Sequence, residues 1–117
     1  KLANELKEVL IETITAKIYL GLREGYSDKI HTLEDVKDFL QEYVNKGGLC
    51  ITVTPTTYLY KDAREDGAVI GLINYPRFPM TKEKIKQAAE EIANLCKDRY
   101  KQNRISIEYQ DQTVMLE

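Results

Sequence analysis

The chain has 117 residues, enough for one domain whose core needs no disulfide or metal staple. Hydrophobic residues make up 43% and charged residues 31%, an ordinary globular composition without a membrane-length apolar run or a signal-peptide pattern. A net charge of −2 argues against a general nucleic-acid binder, which is usually basic, but leaves room for a local basic pocket.

LANELKEVL (2–10) fits either a short helix or an extension of the strand that follows it. Residues 14–22, ITAKIYLGL, place Ile14, Ala16, Ile18, Leu20 and Leu22 on one parity, the period of a half-buried strand. GLREGYSDKIH (21–31) breaks that pattern as a loop. Thr32 then caps a helix, with Glu34 complementing its positive end and Leu33, Val36, Phe39, Leu40, Tyr43 and Val44 on its apolar face. Gly47 and Gly48 stop it.

Residues 49–60, LCITVTPTTYLY, are rich in β-branched and aromatic side chains and predict a second strand. Pro55 inside it demands an edge position or a bulge. KDAREDG (61–67) is a polar turn and AVIGLINY (68–75) a third strand, which makes a hairpin. PRFP follows (76–79), and Thr81 caps a second helix with Ile85, Ala88, Ala89, Ile92, Leu95 and Cys96 as its apolar stripe. RISIEY and QTVMLE finish the chain as two short strands around a tight turn.

The order β-α-β-β-α-β with an extra C-terminal strand predicts an α+β domain: a ferredoxin-like antiparallel sheet with both helices on one face. Residues 1–117 form one domain on this reading. Tyr19, Leu59, Tyr75 and Tyr109 make the other face too apolar to stay wet, so a homo-oligomer is expected to cover it.

Cys50 and Cys96 lack metal-ligand spacing and fit small core residues in a reducing cytosol. His31 is the single histidine, and no nucleophile elbow, zinc-protease motif, phosphate loop or dinucleotide fingerprint is present. No catalytic or metal site and no cofactor is therefore expected. Ligand binding has more to stand on. Arg23, Arg77 and Arg104 offer guanidinium forks for phosphate, and Phe78 or Tyr75 offers a ring for stacking. Asn74, Asn103 and Thr54 could pair with a base edge or ribose, while Pro76 and Pro79 stiffen the turn that carries Arg77 and Phe78. The plainer alternative is that Phe78 fills a gap and the prolines are strand punctuation.

The segments GLREGYSDKIHTLEDV, EYVNKGGLCITVTPTTYLY and GAVIGLINYPRFP resemble the corresponding stretches of the phage anti-Thoeris sponge family. Ala63 departs from that pattern at a turn position where glycine is expected. The resemblance implies a phage protein of the infected host's cytoplasm that binds cyclic ADP-ribose isomers, or other cyclic nucleotides, without cleaving them. It implies dimers assembling to hexamers, no enzyme activity, no membrane, and a ligand site drawn from Arg23, Asn74, Arg77, Phe78, Asn103 and Arg104. In it Phe78 would stack on the base and Arg77 and Arg104 would meet the phosphates. The alternative is an oligomeric regulatory domain of the PII or CutA type binding a small effector. An enzyme such as a nucleotide phosphodiesterase and a pure interaction module complete the range.

Overall fold

The structure, a computed structural model, describes residues 7–117. Its elements are β1 (Thr15–Gly21), α1 (Leu33–Gly47), β2 (Ile51–Tyr60), β3 (Ala63–Ile73), α2 (Lys82–Arg99), β4 (Ile105–Tyr109) and β5 (Thr113–Leu116). The strands form one sheet in the order β2-β3-β1-β4-β5, with every neighbouring pair antiparallel. This is the ferredoxin-like arrangement predicted from the element order, with β5 added beyond β4. Of LANELKEVL, residues 2–6 lie outside the described residues, and residues 7–10 join neither a helix nor a strand.

One face of the sheet makes the core. Ala16, Ile18 and Leu20 of β1 pack with Ile70 and Leu72 of β3 and Ile105 and Ile107 of β4. They meet Val36 and Leu40 of α1 and Ile85, Ala89, Ile92, Ala93 and Cys96 of α2. Thr32 caps α1 as expected: its hydroxyl oxygen accepts from the Asp35 N–H at 3.1 Å. Gly48 ends that helix at φ 65°, a left-handed conformation. Thr81 caps α2 in the same way, accepting from the Lys84 N–H at 3.2 Å. The stripe on α2 differs by one position from its prediction, because Ala93 is buried while Leu95 is 39% exposed. The helix crosses the sheet with the 85-89-92-96 line inward, which turns residue 95 toward solvent.

The β2–β3 hairpin departs further from the sequence reading. Strand pairing runs to Tyr60 opposite Ala63, so only Lys61 and Asp62 form the turn, and AREDG belongs to β3. Charged side chains have low strand propensity, which hid these residues, but the ladder to Thr57–Tyr60 holds them extended. Asp62 takes the positive φ of 58°, so Ala63 needs no glycine-like backbone. Pro55 sits in β2, an edge strand, as its missing N–H required.

β1 pairs β3 only over residues 67–73, whereas β2 follows β3 back to residue 63. The hairpin therefore projects past β1 as a two-stranded arm, and the Leu22 N–H to Asp66 carbonyl bond, 3.2 Å, marks its root. The register also separates the four residues expected to share the open face. Tyr19 lies there, and Tyr75 borders it past the end of β3. Leu59 falls in the helix-side row of β2, and Tyr109 in that of β4, its hydroxyl donating to the Lys86 carbonyl of α2 at 3.4 Å. The open face is instead built from Lys17, Tyr19, Thr52, Thr54, Thr56, Tyr58, Glu65, Ser106 and Glu108 together with the apolar Val69, Ile73, Tyr60 and Met115, a mixed surface.

Candidate functional site

The six residues singled out in the sequence divide between the two ends of the sheet. Asn74, Arg77 and Phe78 follow β3 where Ile73 pairs with Thr15. Arg23, Asn103 and Arg104 lie beyond Gly21 and before Ile105, at the far end of β1. Seven strand residues separate the two groups, about 20 Å. Within one chain they do not form one pocket.

At the first end, Pro76 and Arg77 are the corner of a turn closed by the Phe78 N–H donating to the Tyr75 carbonyl at 2.9 Å. Phe78 is 45% exposed, with the Arg77 guanidinium 5.8 Å from its ring centre. The ring borders an apolar groove of about 490 Å³ with Leu40, Val44, Leu49, Cys50 and Val53. Asn74 is buried and occupied: its side-chain N–H donates to the Glu12 carbonyl at 2.9 Å, and its oxygen accepts from the Met80 N–H at 2.8 Å. It pins the segment before β1 to the chain entering α2.

The other end gathers the titratable groups. On the open face the Tyr19 hydroxyl donates to Glu108 at 2.5 Å. That bond is the main reason the Tyr19 pKa is raised. Tyr58 lies across β3, its hydroxyl donating to the Leu20 carbonyl at 3.2 Å. Gly67 makes this possible, since a Cβ there would stand 2.3 Å from the Tyr58 ring and 2.4 Å from the Leu20 oxygen. Burial, then the neighbouring Tyr19 and Glu65, pushes the Tyr58 hydroxyl up to about 12. Glu65, directly opposite Tyr58 on β3, reaches over Gly21, where Gln102 also arrives. Gln102 is held by its own amide, which donates to the carbonyls of Arg23 at 2.7 Å and Tyr100 at 2.9 Å.

Beside this surface, at the root of the arm, Arg23, Ile30, Arg64, Glu65 and Asp66 line a hollow of about 250 Å³. Arg23 is one of the ligand residues the sequence predicts, whereas Arg64, Glu65 and Asp66 fall in the KDAREDG segment, which reads as a polar turn but from Ala63 onward pairs as part of β3. Alternation is a signal for Glu65, which shares one face with Tyr58 and Gly67 once the turn shrinks to two residues, while Arg64 and Asp66 fall on the other. Asn103 is exposed, and Arg104 pairs with Glu117 at 3.5 Å in solvent. His31 is a clasp, its Nε2 lying 3.0 Å from Glu24 and its ring edge-on to the buried Tyr100 at 4.9 Å. Among the described residues no cluster of His, Cys, Asp and Glu has the makings of a metal site. Cys96 is buried and its thiol pushed up to about 12, while Cys50 borders the groove by Phe78. Among the described residues no helix is long and apolar enough to cross a membrane.

No protein-family model and no curated protein matches the chain. Among solved structures it is similar to a phage SAM lyase in complex with S-methyl-5'-thioadenosine. The TM-score is 0.74 at 18% identity, over 95% of each chain. A phage SAM lyase in its apo state matches with a TM-score of 0.68 at 19% identity, over 95% of this chain and 94% of that one. The comparison establishes a shared fold and does not show the anti-Thoeris family. It overturns the exclusion of an enzyme: both neighbours are enzymes of this architecture. The exclusion rested on missing nucleophile and metal motifs. A lyase whose substrate carries an already activated leaving group needs neither.

Proposed function

We propose that this protein is a lyase acting on a sulfonium nucleoside of the S-adenosylmethionine class, and that it serves a phage as an anti-defence protein in the cytoplasm of the infected bacterium. The observation that carries the reading is the fold shared over nearly the whole of both chains with a SAM lyase holding S-methyl-5'-thioadenosine. That ligand is S-adenosylmethionine without its aminobutyrate arm, so the bond at issue joins sulfur to the γ-carbon of the arm. When it breaks, the electron pair passes to sulfur and the sulfonium becomes a neutral thioether. The arm makes up the deficit from within itself. Either its carboxylate oxygen closes a ring, or a β C–H bond becomes a double bond as its proton leaves.

The open face near Gly21 suits such a cation. The Tyr19 and Tyr58 rings offer π-faces, and Glu65 and Glu108 offer carboxylates, within one patch. The Tyr58 hydroxyl is neutral and anchored on the Leu20 carbonyl, which holds its ring over Gly67. The work left to the protein is to hold the arm in the reactive conformation and keep water out. We read the protein as a homo-oligomer in which a second copy covers this face; native mass spectrometry counts the copies. Removing the methyl donor would starve host methyltransferases, which suits an anti-defence role.

Incubation of the purified protein with S-adenosylmethionine, followed by chromatography, tests the reading: S-methyl-5'-thioadenosine should accumulate. The two possible arm products are isomers, and the vinyl protons of one distinguish them by NMR. Cyclic ADP-ribose isomers, the ligands implied by the sequence resemblance, enter the same assay as rivals. Their tight binding, with S-adenosylmethionine untouched, would overturn the lyase.

A further inference from the structure

We infer that the hollow at the root of the β2–β3 arm is a receptor for the zwitterionic head of an α-amino acid; resting on the reading above, it takes the aminobutyrate arm of the substrate. The topology makes the hollow. β1 leaves the sheet at Gly21 while β3 continues to Ala63, so a notch opens beside β3 and the loop after β1 folds along it. Arg23 from that loop and Arg64 from β3 supply two guanidinium groups, and Glu65 and Asp66 supply two carboxylates in the same 250 Å³ space.

These four charges stand together yet none takes part in an ion pair among the described residues, where the pairs join other groups. Asp66 has one neutral partner, accepting from the Thr57 hydroxyl at 3.3 Å. A simple anion here would be repelled by the carboxylates, and a simple cation by the guanidinium groups. An α-amino acid carries both charges two bonds apart: a carboxylate for the arginine forks and an ammonium for Asp66 and Glu65. Ile30 gives its methylenes an apolar wall. Glu65 is shared, since its carboxylate also reaches over Gly21 on the open face. Glu65 is therefore the residue common to the hollow and the tyrosine patch, which would set the amino-acid head beside β3 and the sulfonium over the open face.

The test compares ligands with and without the head. The full-length chain and the Arg64→Gln and Asp66→Asn variants, each checked for fold by circular dichroism, are assayed for KM with S-adenosylmethionine. Calorimetric affinities for S-methyl-5'-thioadenosine and for L-methionine, neither of which reacts, are measured alongside. Removing one charge-assisted pair should raise KM and weaken L-methionine about tenfold to a hundredfold. S-methyl-5'-thioadenosine, which has no head, should bind each variant as it binds the parent. Equal losses for all three ligands, or no loss for any, would overturn the head receptor and leave the lyase standing. Binding of L-methionine without either nucleoside would support the hollow and sink the lyase. Binding of none of them would sink both.

Discussion

At one end of the β1–β3 ladder, Arg77 and Phe78 ride on a turn closed by a single 2.9 Å backbone bond, beside an apolar groove. At the other end, Tyr19, Tyr58, Glu65, Gln102 and Arg64 arrive from four separate segments at a glycine-lined patch and a charged hollow. The first end is conspicuous in the sequence because its residues are contiguous and flanked by prolines. The second is conspicuous only in three dimensions, because each of its residues is unremarkable where it stands in the chain. Adjacency in sequence marks rigid punctuation; convergence of separate strands marks a place able to surround a ligand.

The largest expected effect that separates the two ends is on turnover. Glu65→Gln should slow conversion of S-adenosylmethionine by about a hundredfold, the scale of one positioned charge in a site, with circular dichroism unchanged. Normal rates in that variant would move the chemistry away from the arm root. Asn74→Ala should instead cost stability, about 2 kcal/mol, by leaving the Glu12 carbonyl and the Met80 N–H without their partner. Urea unfolding measures it, and an unchanged midpoint would deny Asn74 its role as a pin.

An alkaline titration sharpens the contrast between core and site. Cys96, held at about 12 by burial, ionises near its ordinary value of 9.0 once unfolded, so the unfolded state releases its proton first. Its contribution is complete below pH 9 and is lost as pH rises through 12. Tyr58 and Tyr43 behave alike, raised from an ordinary value of 10.0 to about 12, Tyr43 through burial and then Glu91. The thermal midpoint should therefore fall from pH 9 upward, and Cys96→Ala should delay the onset toward pH 10. A flat curve would contradict the burial of these groups. The smallest effect belongs to Phe78→Ala. With the ring nearly half exposed, it should cost about 1 kcal/mol or less in urea unfolding and leave turnover unchanged. A large loss of turnover would return the site to the proline turn.

Much of the architecture was legible in advance because it follows from local periodicity. The alternation of Ala16, Ile18 and Leu20, the caps at Thr32 and Thr81, and the glycine stop at Gly48 each act within a turn or two of chain. Pro55 even announced its edge strand, since a residue without an N–H cannot serve two neighbours. The extent of the hairpin was not legible. Arg64, Glu65 and Asp66 adopt strand geometry through pairing with Leu59, Tyr58 and Thr57 and not through their own preference. The open face was misjudged for a related reason, because which parity of β2 or β4 faces the helices depends on register against β1 and β3.

By itself, then, the sequence determined the order of elements, the buried stripe of each and the helix ends, all short-range consequences of side-chain pattern and backbone preference. Only the tertiary structure decided that Tyr58 crosses Gly67, that Glu65 and Gln102 meet over Gly21, and that Arg23 and Arg64 share one hollow. Those meetings depend on where β1 stops relative to β3, a difference in strand length that no local pattern encodes.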